Sequence, residues 1–203
     1  MSKKAVSIYM AATCAISIIT PGRFVCGIVV AVEICLLMLL GTLFRTLIEV
    51  LKLNKMKQPL ILIFVVYLTS FYKRFVILFM PELGLQLGFV MFLPAISTFT
   101  TVFLMDEKKL SLINELTDNM PCSLLFSLYV LIISFIRDFL AFGTITLPGT
   151  NGFYEYIIFD TETVSAASFL ATIPGALILS AILLSFYLFI EKKFHIILKA
   201  GIK

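Results

Sequence analysis

The chain has 203 residues, of which 61% are hydrophobic and 14% charged, with a formal net charge of +4 and a mean hydropathy of +1.09. Soluble domains carry about 25% charged residues, and one small core cannot hide this much apolar surface. That argues against a soluble enzyme and for lipid as the solvent. The basic excess sits at the ends of apolar segments and forms no nucleic-acid patch.

Apolar segment one covers residues 5–19 and closes at Thr20-Pro21-Gly22-Arg23, a turn signal. It is short for a span. Lys3 and Lys4 ahead of it resemble a signal peptide. No A-x-A cleavage site precedes the next segment, so the start reads as a retained helix. Segment two covers 24–51, long enough to cross with tilt, and a polar loop follows over 52–59. Segment three covers 60–80 and closes at Pro81-Glu82-Leu83-Gly84. Segment four, 85–105, is interrupted by Pro94, and a charged loop takes 106–121. Segment five covers 122–144. A longer loop, 145–168, holds Pro148, Gly149 and Gly152. Segment six, 169–190, contains Pro174-Gly175, and a basic tail ends the chain.

With the N-terminus in the cytoplasm, the inner loops hold Lys3, Lys4, Lys52, Lys55, Lys57, Lys108, Lys109, Lys192, Lys193, Lys199 and Lys203. The outer side keeps Arg23, and its last loop carries Glu155, Asp160 and Glu162. Lysine and arginine mark the cytoplasmic face, so both termini are expected inside. The expected fold is an all-α integral membrane protein, a single domain over 1–203. About six transmembrane helices would form two inverted three-helix halves with irregular first and fourth helices.

Five ionisable residues fall inside these segments: Glu33, Lys73, Arg74, Arg137 and Asp138. On insertion scales such a charge costs about 2.5–3.5 kcal/mol at a helix centre. All five are expected at one depth, slightly outward of the midplane. There Glu33 and Asp138 could neutralise Lys73, Arg74 and Arg137 in a buried network. The competing reading is packing glue that fixes helix register, or lysines reaching back to the surface. Arg45 and Glu49 lie one turn apart and read as an i,i+4 pair. His195 is alone in the tail. Cys14, Cys26, Cys35 and Cys122 have neither CxxC nor Cys/His spacing, so no disulfide frame or zinc site is expected. No Ser-His-Asp set, P-loop or dinucleotide fingerprint occurs.

Segment five contains Ile136-Arg137-Asp138-Phe139-Leu140-Ala141-Phe142-Gly143-Thr144-Ile145. It resembles the "IRE-hydrophobic-G-x-GTL" signature of the Rnf/Nqr-type membrane subunits, D/E branch. Asp138 replaces Glu and keeps the charge; Ala141 replaces the first Gly. Ile173-Pro174-Gly175-Ala176 is similar to that branch's "PPGAF" helix, and Gly88 to Ile96 to its "LGLFIPLI" stretch. The resemblance is best over roughly the last 120 residues.

It implies a non-catalytic subunit of a sodium- or proton-coupled oxidoreductase complex in the inner (cytoplasmic) membrane. Its partners would be other membrane subunits, above all a homologous subunit of opposite topology. Family members share a [2Fe–2S] cluster between two such subunits, each half supplying a cysteine. Here Cys14 stands at the first position without its following Pro, and Thr100 falls where the second cysteine would be. A degenerate iron–sulfur site, with Cys14 as the one candidate ligand, is the expectation. Pro94, Gly143, Pro174 and Gly175 would be helix-break and packing positions. Architecture alone also fits the substrate-binding membrane subunit of a vitamin or metal uptake transporter, or a structural membrane partner.

Overall fold

The computed structural model describes residues 3–53, 56–100, 112–149, 152–159 and 168–183, with residues 185 and 189. The helices are α1 (Lys3–Ile19), α2 (Phe24–Val50), α3 (Lys57–Phe79), α4 (Pro81–Leu87), α5 (Phe92–Thr98) and α6 (Leu112–Phe142). A two-stranded hairpin, β1 (Thr144–Gly149) and β2 (Gly152–Ile157), follows α6, then a 3₁₀ turn at Ser168–Ala171 and α7 (Ile173–Leu183).

Three of these helices, α2, α3 and the Asn119–Phe142 part of α6, are long and apolar enough to cross a membrane. The other three apolar segments of the sequence are shorter helices as far as the described residues go. Segment one is a helix of 17 residues, at the lower end of the length that crosses a bilayer. Segment four is two short helices of 7 residues each. Segment six is described as a helix over Ile173–Leu183, after a 3₁₀ turn.

The break in segment four is at Gly88, which has φ 39°, a conformation that β-carbon sterics deny other residues. Pro94 does not interrupt it. It stands at the third position of α5, where a backbone N–H would lack an intrahelical partner anyway. The fold is also not purely α. The segment read as a loop over 145–168 opens with the antiparallel hairpin, whose register pairs Thr144 with Ile157 and Gly149 with Gly152. Thr144 and Thr146 face inward and are buried, while Ile145 between them is partly exposed and Leu147 exposed, the alternation of a one-sided strand. α6 begins ten residues before segment five was expected to, and it runs through Pro121. Membrane helices tolerate such prolines because neighbours re-satisfy the freed carbonyl.

α2 is the central helix and packs on α6, α3, α5 and β1. Its buried face carries one apolar cluster with α4 and α6 (Val30, Ile34, Leu83, Leu87, Val130). A second joins it to α3, α5 and α6 (Leu37, Met38, Ile61, Ala95, Phe126). Gly27 lets α6 approach: a β-carbon there would overlap Ser134. α3 is peripheral, and Ile63, Tyr67, Phe71, Leu78 and Phe79 stand exposed along it. An outward apolar face on a helix of spanning length suits lipid or a partner helix.

Candidate functional site

Arg137 and Asp138 are neighbours in α6, so their side chains leave the helix about 100° apart and do not face each other. Each is almost fully buried, and each must find partners elsewhere. Arg137 finds four, all main-chain carbonyls. Its Nη1 donates to Ser17 O at 3.0 Å and Thr20 O at 2.7 Å. Its Nε donates to Leu170 O at 3.3 Å and Nη2 to Ala171 O at 3.0 Å. The guanidinium therefore seals the carbonyl ends of α1 and of the 3₁₀ turn together. Those ends leave carbonyls without intrahelical partners, and at α1 they carry the negative pole of the helix, which favours a cation.

Asp138 serves the opposite pole. Its Oδ2 accepts from Phe24 N, the first residue of α2, at 3.1 Å, from Thr146 N at 2.8 Å and from Thr146 Oγ1 at 2.6 Å. Its Oδ1 accepts from Thr144 Oγ1 at 3.2 Å. Thr146 Oγ1 in turn accepts from Val25 N at 3.2 Å. A carboxylate and a hydroxyl thus cap the positive end of α2, although α2's own preceding residue, Arg23, makes no side-chain cap.

Arg23 closes the arrangement. Its Nη1 lies 3.0 Å from Glu155, 3.9 Å from Asp138 and 3.3 Å from Thr144 Oγ1. Its guanidinium lies 4.1 Å from the centroid of the Phe142 ring, within cation–π range. Two cations and two carboxylates therefore meet where α1 ends, α2 begins, α6 ends and the hairpin starts. Two glycines make the geometry accessible. Gly143, at φ 63°, stops α6, and its carbonyl accepts from Ile158 N at 2.9 Å and Phe159 N at 3.2 Å. Gly175 sits so close under the 3₁₀ turn that a β-carbon would overlap Phe169 O, while Pro174 beside it is exposed. Gly143→Ala is expected to cost about 1–2 kcal/mol, the penalty of a left-handed alanine. A lowered thermal midpoint of the detergent-purified protein would register it.

The five-charge network does not form among the described residues. Arg137 bonds to carbonyls and Asp138 to amides, hydroxyls and Arg23. Lys73 lies 5.6 Å from the centroid of the Phe92 ring, and Arg74 is exposed. Glu33 is buried, with no hydrogen-bond partner for either oxygen. The Arg45–Glu49 pair is present at 3.9 Å, and Lys57 joins it. His195 lies outside the described residues. Sequence reading missed Thr144, Thr146 and the contacts of Arg23 with Glu155 and Asp138. The Thr-x-Thr step directly after Gly143 carried a signal, since β-branched alternation behind a glycine reads as a strand.

The iron–sulfur expectation fares differently. Cys14 Sγ donates to Tyr129 OH at 3.3 Å, and Thr100 Oγ1 donates to Ile96 O at 2.7 Å. No group of three His, Cys, Asp or Glu side chains that could hold a metal occurs among the described residues. A [2Fe–2S] cluster takes four soft ligands. One thiol paired with a hydroxyl, opposite a threonine, does not fit this chain's share. No family model, curated protein or solved structure matches the chain.

Proposed function

We propose that the chain is a membrane subunit of an ion-translocating redox complex of the Rnf/Nqr type, in which it is a scaffold and carries no cluster. One observation carries this reading. Two of the separate stretches on which the resemblance rests, one with Arg137, Asp138 and Gly143 and the other with Gly175, close a single buried joint. A chance likeness of short motifs gives no reason for such convergence.

One further feature supports it. α1 and α5, whose sequences hold the family's two irregular positions, pack on each other. Ala12, Ala15 and Ile16 line one crevice with Ile96, Ser97 and Thr100. On this reading the chain crosses the inner membrane about six times, with both termini cytoplasmic, as the lysine asymmetry favours. The joint then faces outward. The partners are the other membrane subunits, including a homologous one of opposite topology.

The test is gentle anaerobic purification from the native membrane, with partners identified by mass spectrometry and iron and acid-labile sulfide assayed. Redox subunits are expected to co-purify, and Cys14→Ser is expected to leave the iron content unchanged. Loss of iron with Cys14→Ser would restore a ligand role to that thiol and sink the cluster-free scaffold. An ATPase module without redox subunits would overturn the family reading in favour of uptake.

A further inference from the structure

A crevice between α2 and α3 has an apolar surface, and Glu33 is among the residues that line it, with its carboxyl oxygens buried. Val32, Leu36, Phe71 and Phe75 form an exposed apolar rim, and Glu33 and Thr69 are buried. The cavity measures about 330 Å³. Glu33 is 1% exposed, and both carboxyl oxygens lack a hydrogen-bond partner.

The neighbouring groups leave it alone. Tyr72 lines the same crevice from α3, but its hydroxyl donates to Val29 O at 2.9 Å. Thr69 Oγ1 donates to Val65 O at 3.0 Å. On α3, Lys73 lies over Phe92 and Arg74 is exposed. The charges among the described α6 side chains, Arg137 and Asp138, are committed to the joint. Among the described residues no charged side chain of α1, α5 or β1 pairs with Glu33.

An ionised carboxylate in such surroundings costs far more than the neutral acid, because nothing replaces its hydration. We propose that Glu33 is a proton-binding site at membrane depth, loaded and emptied through the crevice between α2 and α3. A proton suits this donor set better than a metal ion. Hard cations gather about six oxygen ligands, whereas this crevice offers one carboxyl group and two hydroxyls whose protons already point elsewhere. Ionisable groups within membrane helices serve as proton relays elsewhere. The inference stands on the crevice, independently of which complex the chain joins.

The experiment uses the full chain in native membranes and dicyclohexylcarbodiimide, a lipid-soluble reagent for protonated carboxyls. The acid's proton and oxygen add across one C=N bond, and acyl migration leaves a stable N-acylurea that peptide mass spectrometry locates. Glu33 is expected to be modified by this reagent and not by a water-soluble carbodiimide. Above the site's titration the rate should fall about tenfold per pH unit, and sodium at fixed pH should not change it. Glu33→Gln should abolish the label at an unchanged thermal midpoint. Leu36→Trp, which narrows the rim, should slow labelling with Glu33 still in place. Absence of label at every pH in the folded chain would overturn the proposal. Protection by sodium would replace the proton with a metal cation and overturn it equally. If Glu33→Gln does not fold, the wild-type pH and sodium series decide alone.

Discussion

Arg137→Leu is expected to remove about 3–5 kcal/mol of stability, the range seen when one side of a buried charged contact is deleted. Four carbonyls lose their donor at once: Ser17 O, Thr20 O, Leu170 O and Ala171 O. The bonds to Ser17 O and Thr20 O are buried and those to Leu170 O and Ala171 O part-buried, and each buried acceptor left unsatisfied costs about 1–3 kcal/mol before relaxation. Since folded domains are stable by only about 5–15 kcal/mol, the variant should yield little folded protein. Arg137→Lys should recover part of the loss. Its ammonium supplies three donors as a point charge and cannot fork to two helix ends as the planar guanidinium does. Thermal midpoints of the wild type and the two variants in one detergent would decide. Equal midpoints for wild type and Arg137→Leu would mean the four bonds hold nothing together.

The second large effect is at Asp138. Asp138→Ala strips the acceptor from Phe24 N, Thr146 N and two threonine hydroxyls, and leaves Arg23 with Glu155 as its carboxylate partner. About 3 kcal/mol is expected, since bonds to a charged acceptor are worth about 1.5–3 kcal/mol each and relaxation returns some of it. Asp138→Asn should fall between. It keeps the shape and one oxygen but turns an amide donor toward other donors.

The charge exchange Arg137→Asp with Asp138→Arg is the sharper experiment. Were the two residues an ion pair, exchanging them would restore it. Here each would face the wrong helix pole, so the double variant should be less stable than either single one. A double variant that recovers the wild-type midpoint would refute the capping account.

The helices that were legible in the sequence are those whose apolar runs end at strong turn signals. α2, read as 24–51, spans Phe24–Val50 because Pro21-Gly22 precedes it and lysines follow. The first ten residues of α6 were not legible. Leu112–Pro121 is polar and contains a proline, both signs that single-sequence rules assign to loops. The hairpin was hidden by its setting between two apolar segments, where a long polar stretch reads as a connection. At the joint, the sequence marked Arg137 and Asp138 as costly charges, and that was right. It could not supply their partners, because most are main-chain atoms, and every residue carries those in the same form. The mistaken expectation of a charge network came from pairing side chain with side chain, when the orphan groups of helix ends were nearer and better placed.

The Arg137 contacts also impose an order on biosynthesis. Its acceptors come from residues 17–20 and from 170–171, so the first pair leaves the ribosome well before the arginine and the second pair well after. Domains acquire structure from the N-terminal side as the chain is made. A nascent chain that has placed α1 to α3 still has α1's end unsealed until α6 arrives, and sealed on one side until the 3₁₀ turn follows. A chain cut short before residue 168 therefore leaves the arginine's Nε and Nη2 without the two carbonyls they bond in the finished protein.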